Sequence, residues 1–108
     1  MTTKIYNKLV RDRIPEIIEA DGNVCLAEIL TDDRYLQMLD AKLTEELEEY
    51  QERKSLEELA DLLEVMRAVV KASGWTWEQL EQARQEKADK RGGFEQKILL
   101  KEVIKSSM

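Results

Sequence analysis

Apolar side chains in the middle of the chain recur every three or four positions, at Leu39, Leu43, Leu47 and Tyr50 and again at Leu59, Leu62, Val65 and Val69. That is the period of an amphipathic helix. The first run predicts a helix from about Arg34 to Glu52, with Asp32 and Asp33 placed to cap it. The second predicts a helix opened by Ser55, with Glu58 three residues on in the pattern of a capping box, and closed at Gly74. Only a few residues separate the two, so they must be antiparallel neighbours. A third helix follows, capped at Thr76 and stopped by Gly92-Gly93.

Outside these helices the pattern changes. Lys4–Val10 has no helical period and reads as extended, whereas Arg13-Ile14-Pro15 opens a short helix to about Ala20 that Asp21-Gly22-Asn23 ends. Val24–Leu30 is a short apolar run that reads as a strand, and the tail Phe94–Ile104 reads as extended. No internal repeat or low-complexity linker interrupts the chain. The expectation is a mainly α protein, a bundle of about four antiparallel helices with short extended segments near both termini, in one domain over residues 1–108.

Composition narrows the chemistry. The chain has 108 residues, one cysteine and no histidine. One modest core fits that length, no intramolecular disulfide can form, and zinc sites of the Cys/His type and histidine general bases are excluded. Any reaction must use carboxylates, lysines, arginines, hydroxyls or a hard metal ion. No apolar stretch reaches the roughly 20 residues of a membrane span, and no secretory leader opens the chain, so a soluble cytoplasmic protein is expected.

The net charge of −6 argues against a nucleic-acid polymer as partner. Its distribution is more telling. Residues 40–64 hold ten acids against Lys42, Arg53 and Lys54, whereas residues 1–13 carry Lys4, Lys8, Arg11 and Arg13 against Asp12, and residues 84–105 carry seven cations against four acids. The acid is central and the ends are basic.

A helical wheel shows where that acid points. With Glu46 at zero, Leu39, Tyr50, Leu43 and Leu47 fall at about 20°, 40°, 60° and 100°, so Glu46 lies inside the apolar stripe and Glu49, at about −60°, lies one step outside. With Glu58 at zero, Val65, Val69 and Leu62 fall at about −20°, 20° and 40°, and Asp61 at about −60° lies beside Val65. Two carboxylate pairs, Glu46 with Glu49 and Glu58 with Asp61, therefore lean toward the helix interface at i, i+3 spacing. Charges so placed call for a cation between them. Oxygen ligands without nitrogen or sulfur suit Mg²⁺, with Mn²⁺ as the alternative. Against this stands the ordinary solvated acidic helix face, and for Glu58 a return bond to Ser55 within a capping box.

The last helix carries Arg84, Lys87 and Arg91 beside Trp77, Leu80 and Ala88, a face suited to phosphate if it meets the acidic pairs. Arg84 fits better as a surface cation paired along its own helix. Cys25, in an apolar run, reads as a core residue, and the two tryptophans, Trp75 and Trp77, read as packing residues.

Together these motifs resemble the MazG-like all-α nucleoside triphosphate pyrophosphohydrolases. Glu45-Glu46-x-x-Glu49 and Glu58-x-x-Asp61 are similar to that superfamily's signature, and Tyr6–Pro15 (YNKLVRDRIP) resembles the opening of its short phosphoribosyl-ATP pyrophosphohydrolase-like branch. Lys87-x-x-x-Arg91-Gly92-Gly93-Phe94 resembles that branch's C-terminal motif. The resemblance implies Mg²⁺-dependent cleavage between the α- and β-phosphates of a nucleoside triphosphate or phosphoribosyl-nucleotide, giving a monophosphate and pyrophosphate, by a dimer or tetramer. It implies Glu46, Glu49, Glu58 and Asp61 as metal ligands, Glu45 as an accessory ligand or base, and Lys87 and Arg91 as phosphate contacts, with Lys8 and Arg11 near the site. In the absence of histidine, Glu45 or Glu49 is the candidate proton acceptor and Lys8 and Arg11 are candidate substrate contacts. A non-catalytic helical interaction module, or a nucleotide binder without turnover, is the alternative.

Overall fold

A computed structural model describes residues 2–107 of the chain. It contains four helices, α1 (Ile14–Ala20), α2 (Asp32–Arg53), α3 (Leu56–Ala72) and α4 (Trp77–Arg91), and no strand among the described residues. The fold is mainly α, as the periodicity predicts. The chain divides into two compact units, one ending at Trp77 and the other beginning at Glu78.

The first unit is organised by the α2–α3 hairpin. Its link is only Lys54-Ser55, and each residue has one task. Lys54 adopts the left-handed conformation at φ +55° and donates its backbone N–H to the Tyr50 carbonyl at 2.7 Å, which ends α2. Ser55 returns to extended backbone, and its hydroxyl accepts from the Glu58 N–H at 3.3 Å, which starts α3. With so short a link, the two helices can only fold back against each other. At the far end of α3, Gly74 at φ +88° donates to Lys71 and Trp75 donates to Val70, the paired bonds of a Schellman stop.

Leu39 on α2 and Val70 on α3 are the buried apolar residues, at 2% and 8% exposure. Each lies fifteen residues from its own end of the Lys54-Ser55 link, about 22 Å along its helix. They therefore occupy the same level of the hairpin, away from the turn. On the other flank Leu47, Leu59, Leu63 and Met66 stay between 39% and 46% exposed. The apolar stripe is wider than one hairpin can cover.

Three local expectations need correcting. Thr31, not Asp32 or Asp33, caps α2: its hydroxyl accepts from the Arg34 N–H, and the two aspartates fall in the first turn, where they favour the helix dipole. Val24–Leu30 forms no strand, because no other segment pairs with it; Val24, Leu26 and Ile29 are at least 92% exposed. Cys25, in the same run, is half-buried and not a core residue.

In the second unit α4 ends where Gly92 takes φ +83° and donates to the Ala88 carbonyl at 2.8 Å. A turn closed by Lys97 on Phe94 follows, and the tail to residue 107 is exposed irregular chain. No helix among the described residues is long and apolar enough to cross a membrane.

Candidate metal centre

Glu46 and Glu58 are buried acids, each 7% exposed, on facing helices. Together with Asp61 they bring one carboxylate oxygen each to within 4.8 Å of one another. The inward lean that the wheel predicts for these three residues is therefore realised. Glu49 is half-buried one turn further along α2 and stands outside that trio, although its charge still acts on Glu46.

Each of the two buried acids is satisfied on one side only. Lys42 lies 3.4 Å from Glu46 Oε1, and Arg53 donates to Glu58 Oε1 at 3.1 Å. Oε2 of Glu46 and Oε2 of Glu58 have no hydrogen-bond partner among the described residues. A buried carboxylate oxygen left without a donor is destabilising by roughly 1–3 kcal/mol or more, so two in one place favour added positive charge. Glu58 keeps its backbone half of the capping box, but its side chain is turned to Arg53 and the cluster.

Burial is what lifts the Glu46 carboxyl above its ordinary value of 4.5; the Lys42 charge opposes this, while Glu49 and Asp61 add to it. Burial also pushes Glu45 upward, but hydrogen bonds from Lys8 and Lys42 together outweigh it and hold that carboxyl below 4.5. Neighbouring residues on one helix are thus driven in opposite directions.

The basic N-terminal segment reaches this cluster. Lys8 Nζ lies 3.2 Å from Glu45 Oε1, and Arg11 Nη2 donates to Asp61 Oδ1 at 2.7 Å. The segment before α1 thereby bridges α2 and α3. Lys42 and Arg53, which sequence reasoning did not single out, complete the set of cations. The signal for Lys42 was present in its i+3 and i+4 spacing to Glu45 and Glu46. Arg53 reaches Glu58 around a turn, which no helical period reveals.

The donor set fits a hard cation. All three clustered ligands are oxygens, and an octahedral ion with ligands at ~2.1 Å spans about 4.2 Å between opposite oxygens. Three oxygens within 4.8 Å of one another can share one such shell once the side chains close on the ion.

Lys87 and Arg91 belong to the second unit. Lys87 lines a groove with Arg84, Ala88, Gly92, Gly93 and Phe94, and Arg91 lines another with Gly92, Gly93, Glu95 and Gln96. Arg84 is paired with Glu81 one turn back and also donates to Gln85, the surface role expected of it. Trp77 is half-buried with the Arg67 guanidinium 5.5 Å from its ring centre, whereas Trp75 is 60% exposed.

No family model and no solved structure matches the chain. A protein of Mycolicibacterium smegmatis described as uncharacterised is 55% identical to it over 42 residues, which cover 39% of this chain and 43% of that protein. The chain thus matches less than half the length of that relative.

Proposed function

We propose that the protein is a Mg²⁺-dependent nucleoside triphosphate pyrophosphohydrolase of the MazG-like kind. The observation that carries this reading is the pair of unpartnered, buried oxygens of Glu46 and Glu58 beside Asp61. These three residues hold the ion, with Glu49 within a turn as a fourth ligand or as the base. The chemistry that Mg²⁺ supplies when bound is Lewis acidity, which neutralises phosphate charge and acidifies water. Mn²⁺ suits the same oxygens.

Of the two candidate bases, Glu49 is the better. Glu45 is held by two lysines and is the weaker base for it, whereas Glu49 takes part in none of the ion pairs at the cluster among the described residues. In the reaction a water oxygen bonds to the α-phosphorus, the bond from that phosphorus to the bridging oxygen breaks, and the electron pair leaves with pyrophosphate. Glu49 accepts the water proton. Lys8 and Arg11 are the groups at the cluster suited to the phosphates, and Lys87 and Arg91 have that role by the family resemblance.

The exposed row of Leu47, Leu59, Leu63 and Met66 supports assembly with a second copy, whose matching row would complete the core. The same row is what favours the alternative of a non-catalytic interaction module.

The deciding experiment is pyrophosphate release from a panel of canonical and modified nucleoside triphosphates and phosphoribosyl-ATP, with Mg²⁺ or Mn²⁺. Stoichiometric monophosphate and pyrophosphate are expected. Silence across the panel removes the enzymatic reading, and a melting midpoint indifferent to both metal and a non-hydrolysable nucleotide then favours the interaction module.

A further inference from the structure

Two of the four cations at the carboxylate cluster come from outside the helical hairpin. Lys8 and Arg11 lie three residues apart in the irregular segment ahead of α1, yet they reach Glu45 on α2 and Asp61 on α3, 37 and 50 residues away. Arg11 thereby occupies one of the three carboxylates that converge with unpartnered oxygens. The same Asp61 group cannot serve that guanidinium and a metal ion equally well.

Local charge gives the argument its direction. Glu45, Glu46, Glu49, Glu58 and Asp61 are balanced by Lys8, Arg11, Lys42 and Arg53, five negative charges against four positive. A dication added to the full set would turn a net −1 into +1. A dication that displaces Lys8 and Arg11 restores −1. Exchange, unlike addition, leaves the local charge as the folded chain already holds it.

Exposure and tethering identify which cations can leave. The Lys42 side chain is only 15% exposed between two acids; Arg53, although its side chain is 67% exposed, is the last residue of α2 and is held at the turn by the helix itself. The side chains of Lys8 and Arg11 are 42% and 58% exposed on irregular chain ahead of α1, where the Arg11 carbonyl accepts from the Ile14 N–H at the helix start. Ion pairs so exposed are weak and screened by salt.

We propose that Lys8 and Arg11 form a tethered cationic strap that occupies the carboxylate cluster until a divalent cation displaces it. The inference rests on the metal reading of Glu46, Glu58 and Asp61. Displacement frees an ammonium and a guanidinium together beside the loaded site, where an anionic ligand meets them. The strap therefore exchanges carboxylate partners for phosphate partners.

A lysine-specific protease reads the strap directly, because it must take the Lys8 side chain into its own pocket. Cleavage after Lys8, measured against cleavage after Lys101 in the exposed tail, is followed on the full chain with and without Mn²⁺, while bound Mn²⁺ is counted by electron paramagnetic resonance. Saturating Mn²⁺ is expected to accelerate the Lys8 cut and a chelator to reverse it. Arg11→Gln is expected to accelerate that cut without metal and to tighten Mn²⁺ binding about two- to five-fold, the range a surface ion pair represents. If Mn²⁺ binds and the Lys8 cut is unchanged or slower, the strap is overturned and the metal site stands. If neither wild type nor Arg11→Gln binds Mn²⁺, both fall. Binding by the variant alone supports the strap.

Discussion

Glu46 and Glu58 face each other across the α2–α3 hairpin, each 7% exposed and each with one carboxylate oxygen that no donor reaches. Two such groups are not a device for stability. Their nearest compensation is Lys42 at 3.4 Å for one and Arg53 at 3.1 Å for the other. Removing charge from the pair should therefore strengthen the fold while removing the feature on which the proposed chemistry depends.

Glu46→Gln tests this with a defined sign. The folded protein holds the Glu46 carboxyl above 4.5, so it binds that proton more tightly than the unfolded chain does. At neutral pH the ionised group therefore opposes folding, and the opposition is relieved as pH falls through the raised value toward 4.5. Glu45 behaves oppositely: its lowered carboxyl contributes stability above 4.5 that is lost as pH falls through its folded value. Glu46→Gln should be more stable than wild type by on the order of 1 kcal/mol at pH 7, with the gap narrowing toward pH 4.5. Thermal midpoints of both proteins from pH 4 to 7.5 measure it. A gap independent of pH would contradict the buried charge. Pyrophosphate release should be abolished in the same variant.

Ser55 joins the link to the cluster. Its hydroxyl receives the backbone N–H of Glu58, the residue whose carboxylate completes the acidic pair. Ser55→Ala should lower stability by about 1 kcal/mol, the usual loss of an N-cap, and should blunt the rise in melting temperature expected with Mg²⁺ on the proposed metal site, because the first turn of α3 frays. Ser55→Thr should retain both. Urea titrations with and without Mg²⁺ separate the two effects.

The hairpin was legible because its signals are local. Leu39 and Glu46 share a face by helical period, and Ser55, Glu58 and Gly74 mark the ends of α3 by spacing alone. The burial of Glu46 and Glu58 follows from the same wheel. What the pattern did not disclose is where Lys8 and Arg11 go, because pairs separated by 37 and 50 residues have no periodic signature. Val24–Leu30 was misread for a related reason: an apolar run becomes a strand only when a neighbour supplies the other half of the ladder. Thr31 displaced the aspartates as cap of α2 because extended backbone at Thr31 aims its hydroxyl at the Arg34 N–H.

Leu63 bears on assembly. With Leu47, Leu59 and Met66 it forms an apolar row that the hairpin leaves exposed. If a second copy covers this row, Leu63→Glu should place charge in the interface and yield a monomer. Analytical ultracentrifugation of both proteins at matched concentration decides the matter. A wild type that sediments as a monomer at micromolar concentration would remove self-association from the account. A variant that stays oligomeric would move the interface to another face.

Lys42 stands between Glu45 and Glu46, 3.3 Å from both oxygens of the first and 3.4 Å from Oε1 of the second. Its side chain is only 15% exposed, so solvent does little to screen these pairs. Lys42→Met keeps much of the apolar stem and removes the charge, leaving two acids with less compensation. The expected loss is about 1–3 kcal/mol, below the range for a fully buried pair because Glu45 retains Lys8. Two further measurements distinguish charge from packing. In the double variant Lys42→Met/Glu46→Gln the gain from Glu46→Gln should be larger than in wild type, because the acid it removes has lost its lysine, and the excess over the sum of the single effects should be roughly 1 kcal/mol in a double-mutant cycle. Saturating Mg²⁺ should also stabilise Lys42→Met more than wild type, because added positive charge replaces what the substitution removed. Additive single effects and an equal response to Mg²⁺ would show that Lys42 acts through packing alone.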